Sequence, residues 1–179
     1  MTRRPNKAER ARRLAGEGAQ LLADKRPGDA IARLTEAHAL DPKDVAILIN
    51  LGGAYVMQGK PDAAIPVLEE AVQLEPHNVM VWTNLAAAYL GVLHLSSPER
   101  QDKAISAYEQ VLALDKNAPH INYNLALIYL QREELAQARA QFLAALEVDP
   151  GDRDARYYLD KLDTLQRGRE SGSPAQKPA

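Results

Sequence analysis

The residue types that most often catalyse reactions or bind metals are scattered along this 179-residue chain. Its four histidines are His38, His77, His94 and His120, and no two of them are four residues apart, as paired metal ligands on one helix face would be. The chain has no cysteine, which excludes disulfides and thiolate metal sites. No glycine-rich phosphate loop follows a strand-like segment. We therefore expect no enzyme activity, no cofactor and no metal.

Charge is unevenly distributed although the formal net charge is only −2. The first 13 residues contain Arg3, Arg4, Lys7, Arg10, Arg12 and Arg13 against a single acid, Glu9. Such a basic segment is able to hold the chain on an anionic surface, and this anchor is the weakest of our functional hypotheses. The segment lacks the interleaved aromatic residues that stack on bases, so we expect no specific nucleic-acid partner.

Targeting signals are not evident in this sequence. The basic N-terminal residues are not followed by the apolar segment that a cleaved signal peptide needs. No run of about twenty apolar residues predicts a transmembrane segment. We therefore expect a cytoplasmic protein.

A proline pattern divides the chain into repeating units. Pro42 and Pro76 lie 34 residues apart, and Pro150 follows after two further periods plus six residues. A fixed period of this length is typical of repeat arrays in which each unit is a pair of helices. The predicted units are 11–44, 45–78, 79–118 with a six-residue insertion, and 119–152. Residues 1–10 form a basic N-terminal extension in this division.

Spacing within the second unit predicts how its two helices pack. Leu48, Leu51 and Tyr55 recur at three- and four-residue intervals, which places them on one face of a first helix. Gly52 lies inside this face and would let the second helix approach closely, with Leu68 between two alanines. The sequence therefore predicts small-against-large packing between paired helices.

The boundaries of the helices are also marked. Asp44 and Asn78 each follow a proline that closes the preceding unit, and both are good N-cap residues. Residues 58–62, Gln-Gly-Lys-Pro-Asp, predict the turn between the two helices of the second unit.

These residues resemble the tetratricopeptide repeat, a 34-residue helix-turn-helix unit. The second unit matches the family pattern through Leu51-Gly52, Tyr55, Ala64, Ala71 and Pro76. The third matches through Trp82, Leu85-Ala86 and Tyr89. The resemblance implies an all-α, right-handed superhelical solenoid of about four units. Residues 153–167, whose apolar side chains share one helical face, are expected to form a C-terminal capping helix, and 168–179 a disordered tail.

Some positions depart from the family pattern. Lys116 replaces the third proline, Glu133 stands where glycine usually makes the turn, and Asn122 replaces the large first residue of the fourth unit. In the first unit Glu17 and Leu21 replace the expected leucine and tyrosine, which is ordinary for a terminal repeat that faces water on one side. We expect Asn122 to loosen the local packing.

The third unit carries six additional residues between Tyr89 and Ala104. Ser97, Pro98 and Glu99 predict a helix start there, and we expect about one extra turn on each helix of the pair. Leu93 and Leu95 would then protrude at the turn. They either pack on each other or contact a partner.

Family resemblance implies that the first helices line a concave groove that binds peptides or partner helices. The inward positions would be Ile49, Asn50, Gly53, Met57, Met80, Thr83, Asn84, Ala87, His120, Tyr123, Asn124 and Leu127. Asn50, Asn84 and Asn124 are equivalent in three consecutive repeats. An amide ladder of this kind suits the backbone of an extended peptide, although asparagine is also simply frequent at this position.

One subtype of the family grips the acidic C-termini of heat-shock chaperones with a two-carboxylate clamp. Its lysine, asparagine and arginine positions correspond here to Ala15, Ala19, Asn50, Met80 and Asn84. Only Asn50 fits, so the clamp is absent and we expect no binding of those C-termini.

The sequence thus favours a non-catalytic scaffold or adaptor that binds a protein or peptide in its groove. A self-assembling module is the alternative, in which the end helices or the third-unit insertion make a homo-oligomer.

Overall fold

The computed structural model describes residues 6–171, so Arg3, Arg4 and residues 172–179 of the predicted tail lie outside the described part of the chain. All regular elements in residues 6–171 are helices, as expected. The chain divides into two compact units, Met1–Lys116 and Asn117–Ala179. The α-helices are α1 Lys7–Ala23, α2 Pro27–Leu40, α3 Val45–Met57, α4 Pro61–Leu74, α5 Val79–Leu90, α6 Pro98–Leu114, α7 Ile121–Gln131, α8 Leu135–Val148 and α9 Arg153–Ser171.

The basic N-terminal segment is largely part of the first helix. A capping box starts α1, because the Asn6 side chain accepts from the Glu9 amide and the Glu9 carboxylate accepts from the Asn6 amide, each at 2.8 Å. Arg10 forms an ion pair with Glu36 on α2 at 3.2 Å. Part of the basic charge is therefore compensated within the first unit.

The first unit consists of three helix pairs, α1–α2, α3–α4 and α5–α6, with a core of small and branched side chains. The first pair packs on α3 through a cluster that includes Leu14, Leu34 and Leu51. A second cluster joins α3, α4 and α5 through Leu48 and Val81. Burial of these faces is what stabilises the pairs, since neither helix buries its apolar face alone.

Linkers between successive pairs end in capping residues where the sequence supplies them. Asp44 and Asn78 were predicted as N-caps, and the structure confirms both. Asp152 caps α9 in the same way. Each of the three accepts from backbone amides two and three residues later, at distances between 2.9 and 3.4 Å. These bonds satisfy amides that have no partner inside the helix.

The linker before α7 differs from the other three. Ala118 occupies the register position of the capping residue, and its side chain has no acceptor. The helix begins only at Ile121, and the preceding residue, His120, is left-handed with φ 64° and makes no side-chain capping bond. α7 is consequently shorter than α3, with 11 residues against 13.

The insertion lengthens only one helix of the third pair. α6 has 17 residues, compared with 14 in α4, and Ser97 caps it as predicted by accepting from the Arg100 amide at 3.3 Å. The extra turn expected on α5 is wrong, because Gly91 adopts φ 57° and ends that helix after Leu90. A short 3₁₀ turn follows at Leu93–Leu95.

Arg100 anchors the inserted segment to the rest of the first unit. Its guanidinium donates to the Tyr89 carbonyl at 2.9 Å and to the Ala88 carbonyl at 3.1 Å, at the end of α5. It also forms an ion pair with Asp62 on α4. A cation at a helix C-terminus interacts favourably with the helix dipole.

The second unit packs α7, α8 and α9 around aromatic side chains. Phe142 on α8 is fully buried and stacks on Tyr158 of α9, with ring centroids 5.1 Å apart. Leu159 and Leu162 of α9 complete the cluster, as the predicted capping role requires. α9 continues to Ser171, so the helix runs beyond the predicted boundary at residue 167.

Candidate functional site

A candidate surface of the first unit is formed by α3 and α5. We call it the α3–α5 face and define it by the predicted positions Asn50, Gly53, Met57, Met80, Thr83, Asn84 and Ala87. The two helices approach each other where Gly53 faces Asn84, since a Cβ built on Gly53 would lie 3.9 Å from the Asn84 amide oxygen. The structure therefore brings residues from two repeats together at this point.

Polar groups on the α3–α5 face are partly used within their own helix. The Asn84 amide nitrogen donates to the Met80 carbonyl at 2.9 Å, and the Thr83 hydroxyl donates to the Val79 carbonyl at 2.9 Å. Asn84 is half-buried and its amide oxygen lies beside Gly53. Asn84 thus has its acceptor available for a bound backbone, together with its second N–H.

Apolar side chains are also exposed on this face. Met57 is 52% exposed and Met80 is 59% exposed. Met80 lies one turn before Asn84 on α5, and Met57 lies one turn after Gly53 on α3, so they flank the contact of the two helices. Methionine adapts its shape to different partners. Ile49, by contrast, is only 9% exposed and packs in the core with Leu48 and Val81.

In the second unit, α7 presents the remaining predicted positions. Tyr123 and Asn124 are half-buried, whereas His120 is exposed at the left-handed residue before the helix. Leu127 packs against the buried aromatic cluster of this unit. Tyr123 meets Phe142 edge-on, with ring centroids 5.8 Å apart.

Electrostatics around Tyr123 favour its neutral phenol. Burial raises the pKa of Tyr123, and the neighbouring Tyr158, Asp154 and Asp152 raise it further. Tyr158 lies 6.3 Å from Tyr123 between ring centroids. The face beside α7 is therefore an aromatic surface with carboxylates nearby.

Tyr158 was not among the predicted site residues. It stands on α9 at the register position of Asn50, Asn84 and Asn124, so extending the repeat register past Pro150 would have found it. Tyr157 beside it is exposed and lies under the Lys161 ammonium. The asparagine series therefore ends in a tyrosine at the last helix.

Residues 6–171 offer neither a metal site nor a membrane-spanning helix. No three histidine, cysteine or acidic side chains there are grouped in a way that could hold a metal ion. None of the helices in that range combines the length and the apolar character needed to cross a membrane.

Structural similarity was found to several solved helical-repeat proteins. The chain superposes on MamA from Desulfovibrio magneticus RS-1 (residue 41 to the end) with a TM-score of 0.77 and 20% identity, covering 93% of this chain and 89% of that one. It matches PilF of Pseudomonas aeruginosa with a TM-score of 0.75 and 19% identity, covering 90% and 71%.

A third similar structure is the first repeat domain of Spaghetti (RPAP3) bound to the HSP90 peptide SRMEEVD. Its TM-score is 0.59 at 24% identity, covering 69% of this chain and 95% of that one. At such identities these similarities show the fold alone. No curated protein matches the sequence of this chain significantly.

Two family models described as tetratricopeptide repeat match the sequence. One covers residues 21–65 and 99–162, and the other covers residues 45–88. The first of these matches alone extends over more than half of the chain. The chain belongs to the tetratricopeptide repeat family.

Proposed function

We propose that the protein is a non-catalytic interaction scaffold that binds an extended peptide or a partner helix on the α3–α5 face. The observation that carries this proposal is the exposure of Met57 and Met80 on either side of the Gly53–Asn84 contact. Exposed apolar side chains that lie together on a surface mark interaction sites. The Asn84 amide between them supplies hydrogen bonds for a backbone.

The α7 face is proposed as a separate contact surface of the second unit, through Tyr123 and Asn124. Aromatic side chains that are rigid and half-buried are common anchors in protein interfaces. The peptide complex of the RPAP3 domain supports the general proposal that this fold binds peptides.

A variant that blocks the α3–α5 face tests the proposal. Gly53 has no neighbour closer than 3.9 Å to an added Cβ, so Gly53→Arg should fold and cover the face. Ala39→Arg on the exposed side of α2 is the matched control with the same added charge. Peptides selected from a random display library against the unaltered protein are then titrated against both variants by calorimetry.

We expect Gly53→Arg to weaken the selected peptides at least about tenfold, equivalent to about 1.4 kcal/mol. Ala39→Arg should leave their affinity unchanged. Equal affinity for all three proteins would show that peptides do not bind on the α3–α5 face.

Self-assembly is the second candidate function, and the inserted segment favours it. Leu95 is 76% exposed and Val92 beside it is also exposed, so the tip of the insertion presents apolar surface. Multi-angle light scattering over a hundredfold range of concentration tests this alternative. A molar mass that rises with concentration in the unaltered protein but not in Leu95→Ser would support self-assembly. A monomer mass at every concentration would contradict it.

A further inference from the structure

Asn122 on α7 is a buried polar residue at a position where earlier repeats place a large apolar one. By register it corresponds to Leu14, Leu48 and Trp82, and both leucines are fully buried. Asn122 is only 7% exposed, and within residues 6–171 its amide has no protein hydrogen-bond partner. The Asn122 amide is not among the fully buried polar atoms of residues 6–171 that lack a partner, so it keeps some contact with solvent and a ligand is able to reach it.

A pocket of about 150 Å³ in the second unit is lined in part by Asn122. Asn122 forms one wall with residues 118–120, and the end of α8 and the linker to α9 form the other through Ala145, Val148, Asp149 and Asp152. An apolar cavity of about this volume holds one benzene molecule. The pocket is therefore large enough for the end of one side chain.

Two carboxylates give the pocket its charge preference. Asp149 Oδ1 accepts from the Gly151 amide at 2.8 Å, and Asp152 Oδ1 accepts from the amides that begin α9. In the described part of the chain no protein group bonds to the second oxygen of either carboxylate. Negative charge on the wall repels an anion and attracts a cation. The Asn122 amide oxygen adds a third acceptor.

A cation with several N–H donors matches these acceptors. An ammonium group carries three donors and no acceptor. A metal ion would need a cluster of ligands, and residues 6–171 contain no group of three or more histidine, cysteine or acidic residues that could hold one.

We propose that the Asn122 pocket binds an alkylammonium group, as the side chain of a lysine in a protein partner or as a free amine. This site is separate from the α3–α5 face. The proposal for it does not depend on the function proposed for that face.

Nuclear magnetic resonance on the ¹⁵N-labelled full chain tests the proposal. The side-chain amide pair of Asn122 is assigned by its correlation to the Asn122 backbone in ¹³C,¹⁵N-labelled protein. The probes are n-butylammonium chloride and Nα-acetyl-lysine amide, and the controls are n-butanol, sodium butyrate and sodium chloride. We expect saturable shifts of the Asn122 side-chain amide with an ammonium probe and none with the controls.

The two ammonium probes distinguish the source of the ligand. Binding of Nα-acetyl-lysine amide supports a lysine of a protein partner, whereas binding of n-butylammonium alone supports a free amine. Equal shifts with butanol, butyrate or sodium chloride, or none with either ammonium probe, would overturn the proposal.

Substitutions at the carboxylates test the charge argument. Asp149→Asn and Asp152→Asn retain the side-chain oxygen that accepts from the backbone, so both variants should fold. We expect each to weaken butylammonium binding about tenfold, and Asn122→Leu to abolish it by filling the pocket as Leu14 and Leu48 do in their repeats. Unchanged affinity in both aspartate variants would contradict the proposal even if Asn122→Leu fails to fold.

The chain contains a matched control pair. Asp41 and Asp44 stand at the equivalent positions of the linker between α2 and α3, where Leu14 is fully buried. Asp41→Asn and Asp44→Asn make the same change of charge and should leave butylammonium binding unchanged. A similar loss in these variants would mean that net charge, not the pocket, controls binding.

Discussion

Gly52 on α3 and Leu68 on α4 are packed so closely that no side chain fits between them. A Cβ built on Gly52 would lie 2.5 Å from Leu68 Cγ, which is shorter than any tolerable carbon–carbon contact. Gly18 and Leu34 repeat the same relationship in the first helix pair, also at 2.5 Å. The absence of a side chain on the first helix thus sets how near the second helix comes.

Gly52→Ala should therefore destabilise the first unit. We expect a loss of about 1–3 kcal/mol in the free energy of unfolding, from overpacking that exceeds the gain in helix propensity. Gly53→Ala is the control, because its Cβ would lie 3.9 Å from the Asn84 amide oxygen, an ordinary contact, and it should be neutral or stabilising by about 1 kcal/mol. Urea unfolding followed by circular dichroism measures both, and equal stability of the two variants would refute the argument.

Replacing Leu68 with an aromatic residue should restore part of the stability that Gly52→Ala loses. In the third and fourth pairs the register positions of Gly52 and Leu68 hold Ala86 with Tyr108 and Ala126 with Phe142. A flat ring leaves room for a Cβ that a branched leucine does not. We expect Gly52→Ala with Leu68→Phe to lose at least about 1 kcal/mol less than the sum of the single variants, as neighbouring residues commonly couple. Additive effects in the double-mutant cycle would contradict this complementarity.

Glycine should stabilise the turn between α7 and α8. Glu133 adopts φ 60°, and the equivalent turn residues Lys25 and Gly59 have φ 57° and 73°. This left-handed conformation costs a residue with a Cβ about 1–2 kcal/mol, partly offset by the entropy of glycine in the unfolded chain. We expect Glu133→Gly to gain about 0.5–1 kcal/mol and Gly59→Ala to lose a similar amount. The urea midpoints measure both, and opposite signs would refute the prediction.

The chaperone peptide SRMEEVD should not bind this protein. Ala15, Ala19, Met80 and Asn84 stand where the clamp of the chaperone-binding subtype has lysine, asparagine or arginine, so its two carboxylates lack cationic partners. Calorimetry should give no measurable heat with the unaltered chain. A variant with four substitutions should gain binding of the peptide. These are Ala15→Lys, Ala19→Asn, Met80→Lys and Asn84→Arg. Binding to the unaltered chain would show that the clamp comparison is wrong.

The pKa of Tyr89 should lie above the ordinary value of a tyrosine. Burial, the hydrogen bond from its hydroxyl to Glu69 at 2.7 Å and the charge of Glu69 raise its pKa from 10.0 to about 12. Since the neutral phenol is favoured in the folded state, this contribution to stability is full below pH 10 and is lost as the pH rises through about 12. In spectrophotometric titration at alkaline pH, Tyr89→Phe should remove a late increment of tyrosinate absorbance, and Glu69→Gln should move it to lower pH. An unchanged curve for Glu69→Gln would contradict the assigned cause.

Much of this fold could be predicted from local sequence. The helix pairs, the caps at Asp44 and Asn78, and the start of α6 after Ser97 follow from apolar spacing and hydrogen bonds between residues two to four positions apart. The family assignment rests on the same repeated pattern, and two family models confirm it. These features need no knowledge of which distant residues meet.

Other features depend on contacts between residues far apart in the sequence. The conformation of the inserted segment depends on two such features. α5 ends at Leu90, and Arg100 forms an ion pair with Asp62. Neither feature follows from the spacing of residues alone. The pocket at Asn122 exists because α7 meets the end of α8 and the linker to α9 at Asp149 and Asp152. The sequence by itself determined the repeat register and showed Asn122 as an irregular residue. Only the tertiary structure places that residue in one pocket with Asp149 and Asp152, because burial and charge at a site depend on packing between helices.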